Sequence, residues 1–139
     1  MKVISYHMAE DFELPDDRHL AIRVMASPAD VNADGDIFGG WIMSQVDIAG
    51  SIIARRQAHG RIVTVAVNAF QFKHPAFVGD LISCYAQVTR IGNTSLTVNV
   101  KAFAERYRNH HEVVHLTEAD LTYVAVDDQR RPRPVPEEE

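Results

Sequence analysis

The stretch Ile37 to Ala54, IFGGWIMSQVDIAGSIIA, limits the possible folds more than any other part of the chain, because its 18 residues carry a single charge, Asp47. Its length approaches the roughly 20 apolar residues that cross a bilayer. Gly39, Gly40, Ser44, Gln45, Asp47, Gly50 and Ser51 interrupt it, so it reads as a buried helix of a soluble domain. On a helical wheel Ile42, Val46, Ala49 and Ile53 form one apolar stripe. The opposite side, Gly40, Met43, Asp47, Gly50 and Ala54, is hardly more polar. A helix without a charged face must be covered on most sides, and the rest of the chain has to supply the cover. The helix is expected to begin at Gly39 or Gly40 and to fade at Arg55-Arg56-Gln57, where basic residues suit the negative end of the dipole. His59-Gly60 is the stop signal.

The remaining segments have strand periodicity. His19 to Ser27 alternates Leu20, Ile22, Val24 and Ala26 with more polar neighbours, which predicts a strand with one buried face, ended by Pro28. A loop rich in Asp, Asn and Gly follows from Ala29 to Asp36. Ile62 to Phe72 is β-branched and aromatic with both faces apolar, the pattern of a central strand. Leu81 to Ile91 and Thr94 to Arg106 flank the turn signal Gly92-Asn93 and predict a hairpin, and Val113 to Val126 is the last strand. Successive hairpins make the sheet mainly antiparallel. The expected class is α+β, a five-stranded sheet wrapped around one long helix. With 139 residues, a single domain is expected over residues 18–130, between an acidic arm at 1–17 and a proline- and glutamate-rich tail at 131–139.

Charge and cysteine content narrow the class. Fourteen Lys and Arg against 19 Asp and Glu leave a net charge of −5, which argues against a nucleic-acid partner. Met1 to Glu13 has no basic segment followed by an apolar run, so no secretory signal is read there. The lone Cys84 forms no internal disulfide and fits a reducing compartment, so a cytoplasmic location without membrane association is expected.

Three features bear on chemistry. His111 to His115 reads HEVVH, the zinc-protease pattern, but that pattern needs a helix. In the strand expected here, residues four apart lie about 13 Å from each other. Two such histidines cannot share a zinc ion, so no metal is expected, and His110, His111 and Glu112 read as a polar turn. Gly39 and Gly40 stand where a helix start leaves backbone N–H groups without partners. Glycine there lets a ligand carbonyl approach those donors, and it equally permits tight packing of the helix start. Asp47 lies two turns into the helix, where an unpaired carboxylate is costly. Such a residue either bonds a neighbouring strand or serves as a general base, a nucleophile or a binding group. The small neighbours Gly50 and Ala54, with flexible Met43, leave room beside it. Cys84, within a strand pattern, reads as core, and no nucleophile elbow GxSxG is present.

The run SPADVNADGDIFGGWIMSQVDIAGSIIA, followed by HGRIVTVAVNAFQF, HPAFVGD and TEADLTYVAVD, resembles the hotdog-fold acyl-CoA thioesterases, most closely their bacterial YciA-like branch. The resemblance spans about Leu20 to Arg133. It implies a curved antiparallel sheet around a central helix, dimers joined edge to edge with active sites at their interface, and hexamers built as trimers of dimers. It implies hydrolysis of acyl-CoA thioesters to free acid and coenzyme A, with no cofactor. The family's helix acid corresponds to Asp47, as general base or as nucleophile through an anhydride. Its helix-start donors correspond to Gly39 and Gly40, and its loop asparagine to Asn32, acting across the interface. Thr64 and Asn68, on the strand facing the helix, are expected to support the site. The phosphates of coenzyme A should meet basic groups, for which Arg61, Arg90, Arg130 and Arg131 are candidates. Asn93, Thr94 and Ser95 would guide the pantetheine arm. The rival reading is a non-catalytic acyl-CoA-binding hotdog protein. A hotdog dehydratase would need a helix histidine, and none lies between His19 and His59.

Overall fold

In the computed structural model, which describes residues 13–109 and 111–137, the uncharged segment is one helix, α1, Gly39–Ala58. The expected arm therefore falls mostly outside the described residues, as do His110 and the last two glutamates. The strands are β1 (Leu20–Met25), β2 (Ile62–Phe72), β3 (Leu81–Ile91), β4 (Ser95–Glu105) and β5 (Val113–Ala125). β1 is shorter than its alternation because both flanks form capped 3-10 turns. Asp16 Oδ1 accepts from Arg18 N before it, and Ser27 Oγ accepts from Ala29 N after it. α1 ends where His59 adopts a left-handed φ of 56°.

The five strands form one sheet in the order β1-β3-β4-β5-β2, every neighbouring pair antiparallel. α1 touches all five strands. The core between helix and sheet contains Val46, Ala49, Ile82, Leu96, Val98, Val100, Leu116 and Leu121, each essentially without exposure. Burying each of the Val, Leu and Ile side chains among them stabilises by about 1.5–3 kcal/mol. Cys84 belongs to this layer, and burial pushes its thiol up to about 12. It should therefore ignore an aromatic disulfide reagent at pH 8 in the native protein. One thiol should react once denaturant is added, and reaction of the native protein would contradict this packing.

Two expectations are corrected. β2 is an edge strand, not a central one, and only β3–β4 and β4–β5 are consecutive hairpins. The link from β2 to β3 crosses the sheet. Both faces of β2 are apolar, yet Val65, Val67 and Phe72 are 54%, 38% and 51% exposed. Likewise α1 buries Ile42, Val46, Ala49, Gly50, Ala54 and Ala58 but leaves Met43 and Ile48 open. One chain does not cover everything its hydrophobic pattern asks to be covered.

The connection from β2 to β3 is anchored by a buried ion pair. Arg106 Nη1 donates to Asp80 Oδ2 at 2.7 Å and to the Pro75 carbonyl at 3.0 Å. Asp80 also accepts from the backbone N–H groups of Phe77 and Tyr107. Gly79 has φ 89°, a conformation that suits glycine. The tail after β5 is irregular but pinned: Val135 is buried, its N–H donates to Asn93 O, and Gln57 Nε2 donates to Pro136 O. No described helix is long and apolar enough to cross a membrane.

Candidate active site

Asp47 projects from the middle of α1 toward β2 and β5. Thr64 Oγ1 donates to its Oδ1 at 2.9 Å, and the Tyr123 hydroxyl donates to the same Oδ1 at 3.0 Å. That hydroxyl is also 3.1 Å from the Asp47 carbonyl. Oδ2 accepts no hydrogen bond among the described residues. The room expected beside Asp47 is thus not empty. Gly50 opens it, one helical turn further on, and Tyr123 fills it: a Cβ at position 50 would collide with the phenol oxygen. Tyr123 is fully buried. Burial first, then the charge and hydrogen bond of Asp47, raise its phenol well above the usual tyrosine value, so it remains a protonated donor. Sequence reasoning missed Tyr123. The available signal was its parity in β5, which it shares with the inward-facing Leu121 and Ala119.

The second cluster forms at the helix start. Asn32 closes its loop on itself: its N–H donates to Asp36 O at 2.7 Å, and its Oδ1 accepts from Asp34 N at 2.8 Å and Asp36 N at 3.1 Å. The residue before α1 is Phe38, which supplies no side-chain cap, so the first N–H groups are not satisfied by a capping side chain. Gly39 packs under the Phe72 ring, which a Cβ would approach to 3.0 Å, whereas a Cβ at Gly40 would meet nothing. Packing therefore explains Gly39 and does not explain Gly40. A cavity of about 310 Å³ opens here, lined by Asn32, Gly39, Phe72, Lys73, His74 and Leu116 among others.

Asp47 does not line that cavity. Eight residues of helix separate it from Gly39, about 12 Å at 1.5 Å per residue. The structure groups Asp47 with Thr64, and Asn32 with Gly39, but does not bring the two groups together.

Asn68 does not stand on the helix-facing side with Thr64. The register pairs Thr64 with Tyr123 but Ala66 with Thr122, so Val65 is an extra residue in β2. A bulge of this kind reverses the alternation. Asn68 consequently pairs with Asp120 on the sheet's outer face, where Asn99 Nδ2 bonds both Glu118 and Asp120. Arg61, Asn93, Thr94 and Ser95 do gather, around the β3–β4 turn. There Val126 N donates to Arg61 O, Ala125 N to Thr94 O and Gly92 N to Ser95 O. Arg90 is exposed near the end of β3, opposite Thr97. Arg130 and Arg131 lie in the exposed turn after β5, where Arg131 pairs with Asp127 at 3.5 Å.

HEVVH spans a turn and a strand. His111 precedes β5, and His115 lies on it with its ring stacked on Phe103 at 4.7 Å. Burial, and then the Lys73 charge, hold the His115 imidazole below the ordinary value of 6.5. No group of three or more metal-ligating side chains occurs among the described residues.

One central helix packed on a five-stranded antiparallel sheet is the arrangement of the hotdog fold. The sequence pattern of the thioesterase superfamily matches residues 34–108. The acyl-CoA thioester hydrolase YciA of Salmonella typhimurium is 46% identical over 119 residues, 84% of this chain and 90% of that one. Among solved structures, a hexameric thioesterase from Yersinia pestis is 45% identical with a TM-score of 0.83, covering 88% of this chain and 99% of that one. A hexameric broad specificity acyl-coenzyme A thioesterase is 42% identical with a TM-score of 0.83, covering 91% and 86%. The chain belongs to the hotdog-fold thioesterase superfamily.

Proposed function

We propose that the protein is an acyl-CoA thioester hydrolase whose active site is completed by a second copy of the chain. The observation that carries this reading is the geometry of Asp47, whose Oδ1 is held by Thr64 and Tyr123 while Oδ2 is left open. Oδ2 takes a proton from water as the water oxygen attacks the thioester carbonyl carbon. The same oxygen would be the attacking atom in an anhydride route. The developing oxyanion is met by the free N–H groups of a helix start at Gly39 and Gly40, where the helix dipole is positive. The carbon–sulfur bond then breaks and coenzyme A leaves as its thiolate. The residues need no metal or other cofactor for these steps.

Base and oxyanion donors must converge on one carbonyl group, yet Asp47 and Gly39 of one helix are about 12 Å apart. The site is therefore built from Asp47 of one protomer and Asn32, Gly39 and Gly40 of its partner. The exposed apolar edge strand β2 is the natural junction, and a closed dimer satisfies it. Assembly into a hexamer is proposed from the hexameric relatives, and a cytoplasmic location from the single reduced Cys84. Arg61 and the turn Asn93-Thr94-Ser95 lie together and suit the coenzyme's polar end, with Arg90 a further cation on the same hairpin.

Complementation tests the two-chain site. Asn32→Ala and Asp47→Asn should each be inactive alone. A refolded mixture should recover about a quarter of wild-type thiol release, because each mixed dimer holds one intact site. No recovery, with mixed dimers demonstrated, would place the whole site within one chain.

A further inference from the structure

We propose that Tyr123 is a positioning residue for the hydrolysis: with Thr64 it locks the Asp47 carboxylate so that only Oδ2 faces the reaction, and Gly50 exists to admit it. This rests on the reading of Asp47 as the catalytic carboxylate.

A carboxylate on a helix turns about its side-chain bonds, and a single donor leaves much of that freedom. Here two hydroxyls converge on one oxygen, 2.9 Å and 3.0 Å away. The two donors differ in rigidity. Thr64 stands exposed beside the Val65 bulge on the edge strand. Tyr123 is fully buried on β5, which is flanked by β4 and β2. Tyr123 is thus the fixed reference, and its protonated phenol can only donate. The slot it occupies depends on residue 50, which shares the helix face of Asp47 one turn on. Any side chain at Gly50 would strike the phenol. A glycine in a helix interior costs about 1 kcal/mol relative to alanine. Pairing this glycine with a buried tyrosine whose hydroxyl, among the described residues, bonds only Asp47 accounts for both residues at once.

The test compares steady-state hydrolysis of an acyl-CoA by wild type, Tyr123→Phe and Asp47→Asn across pH. Tyr123→Phe keeps the ring and its packing. It should lower kcat about tenfold or more with KM within about twofold, since a hydrogen bond to a charged group is lost. The acid limb of kcat/KM should move to higher pH, because the ionised carboxylate has lost a donor. In the Asp47→Asn background the same change should have no further effect. If Tyr123→Phe does not fold, 3-fluorotyrosine at position 123 decides the matter: its more acidic hydroxyl should move the acid limb to lower pH. Wild-type kcat and an unmoved acid limb in the folded phenylalanine variant, or an unmoved limb with fluorotyrosine, would overturn the proposal. An inactive Asp47→Asn beside a fully active Tyr123→Phe would remove only the role of Tyr123. An active Asp47→Asn would remove the reading of Asp47 itself.

Discussion

Asp47→Asn is expected to stay folded and assembled while its kcat for acyl-CoA hydrolysis falls by about 100- to 10,000-fold. The substitution is nearly isosteric. The amide oxygen can still accept from Thr64 Oγ1 and the Tyr123 hydroxyl, so the contacts that seat the side chain survive. What is lost is the chemistry of Oδ2, because an amide nitrogen neither takes a proton from water nor attacks a thioester. The loss should appear in kcat, and KM should change little, since the side chain acts mainly in the transition state. Thiol release from a panel of acyl-CoAs measures it, and the shielded Cys84 adds no background. Equal rates in variant and wild type would exclude Asp47 from the mechanism. No release by wild type from any acyl-CoA would favour a binding protein.

The largest effect on stability is expected at the Asp80–Arg106 pair. Asp80 is 1% exposed and Arg106 is 8% exposed, and their 2.7 Å ion pair ties the turn after β2 to the end of β4. The Arg106 guanidinium also lies 4.7 Å over the Phe77 ring. Asp80→Ala leaves that guanidinium buried without its counter-charge and strands the N–H groups of Phe77 and Tyr107. Removing one partner of a buried pair costs about 3–5 kcal/mol. Urea unfolding followed by circular dichroism should show the midpoint falling accordingly. Asp80→Asn keeps an acceptor for one of the two backbone donors, which bond different oxygens of Asp80, and should lose less. A midpoint within experimental error of wild type for Asp80→Ala would mean that solvent reaches Arg106.

Much of the fold was legible because local periodicity and tertiary burial agree. β2 and β3 occupy the residues their patterns predict, and α1 begins at the expected glycine. Asp47 was legible as a lone charge in an apolar helix. Asn68 was misplaced because a single bulged residue, Val65, reverses strand parity and leaves no mark in a run that is apolar on both faces. β2 was read as central for a related reason. Periodicity reports that a face is covered, and it does not say whether the same chain or another copy covers it.

By itself, then, the chain's sequence determined the order of elements, the uncharged helix that a sheet must wrap, and Asp47 as the residue to explain. Those follow from spacing along the chain, which local physics reads directly. Only the tertiary structure decided what surrounds Asp47. Tyr123 lies 76 residues away along the chain, and it reaches the carboxylate because β5 pairs beside β2 and Gly50 leaves the slot open. Spacing carries no record of contacts at that range, which exist only once the sheet has closed around the helix.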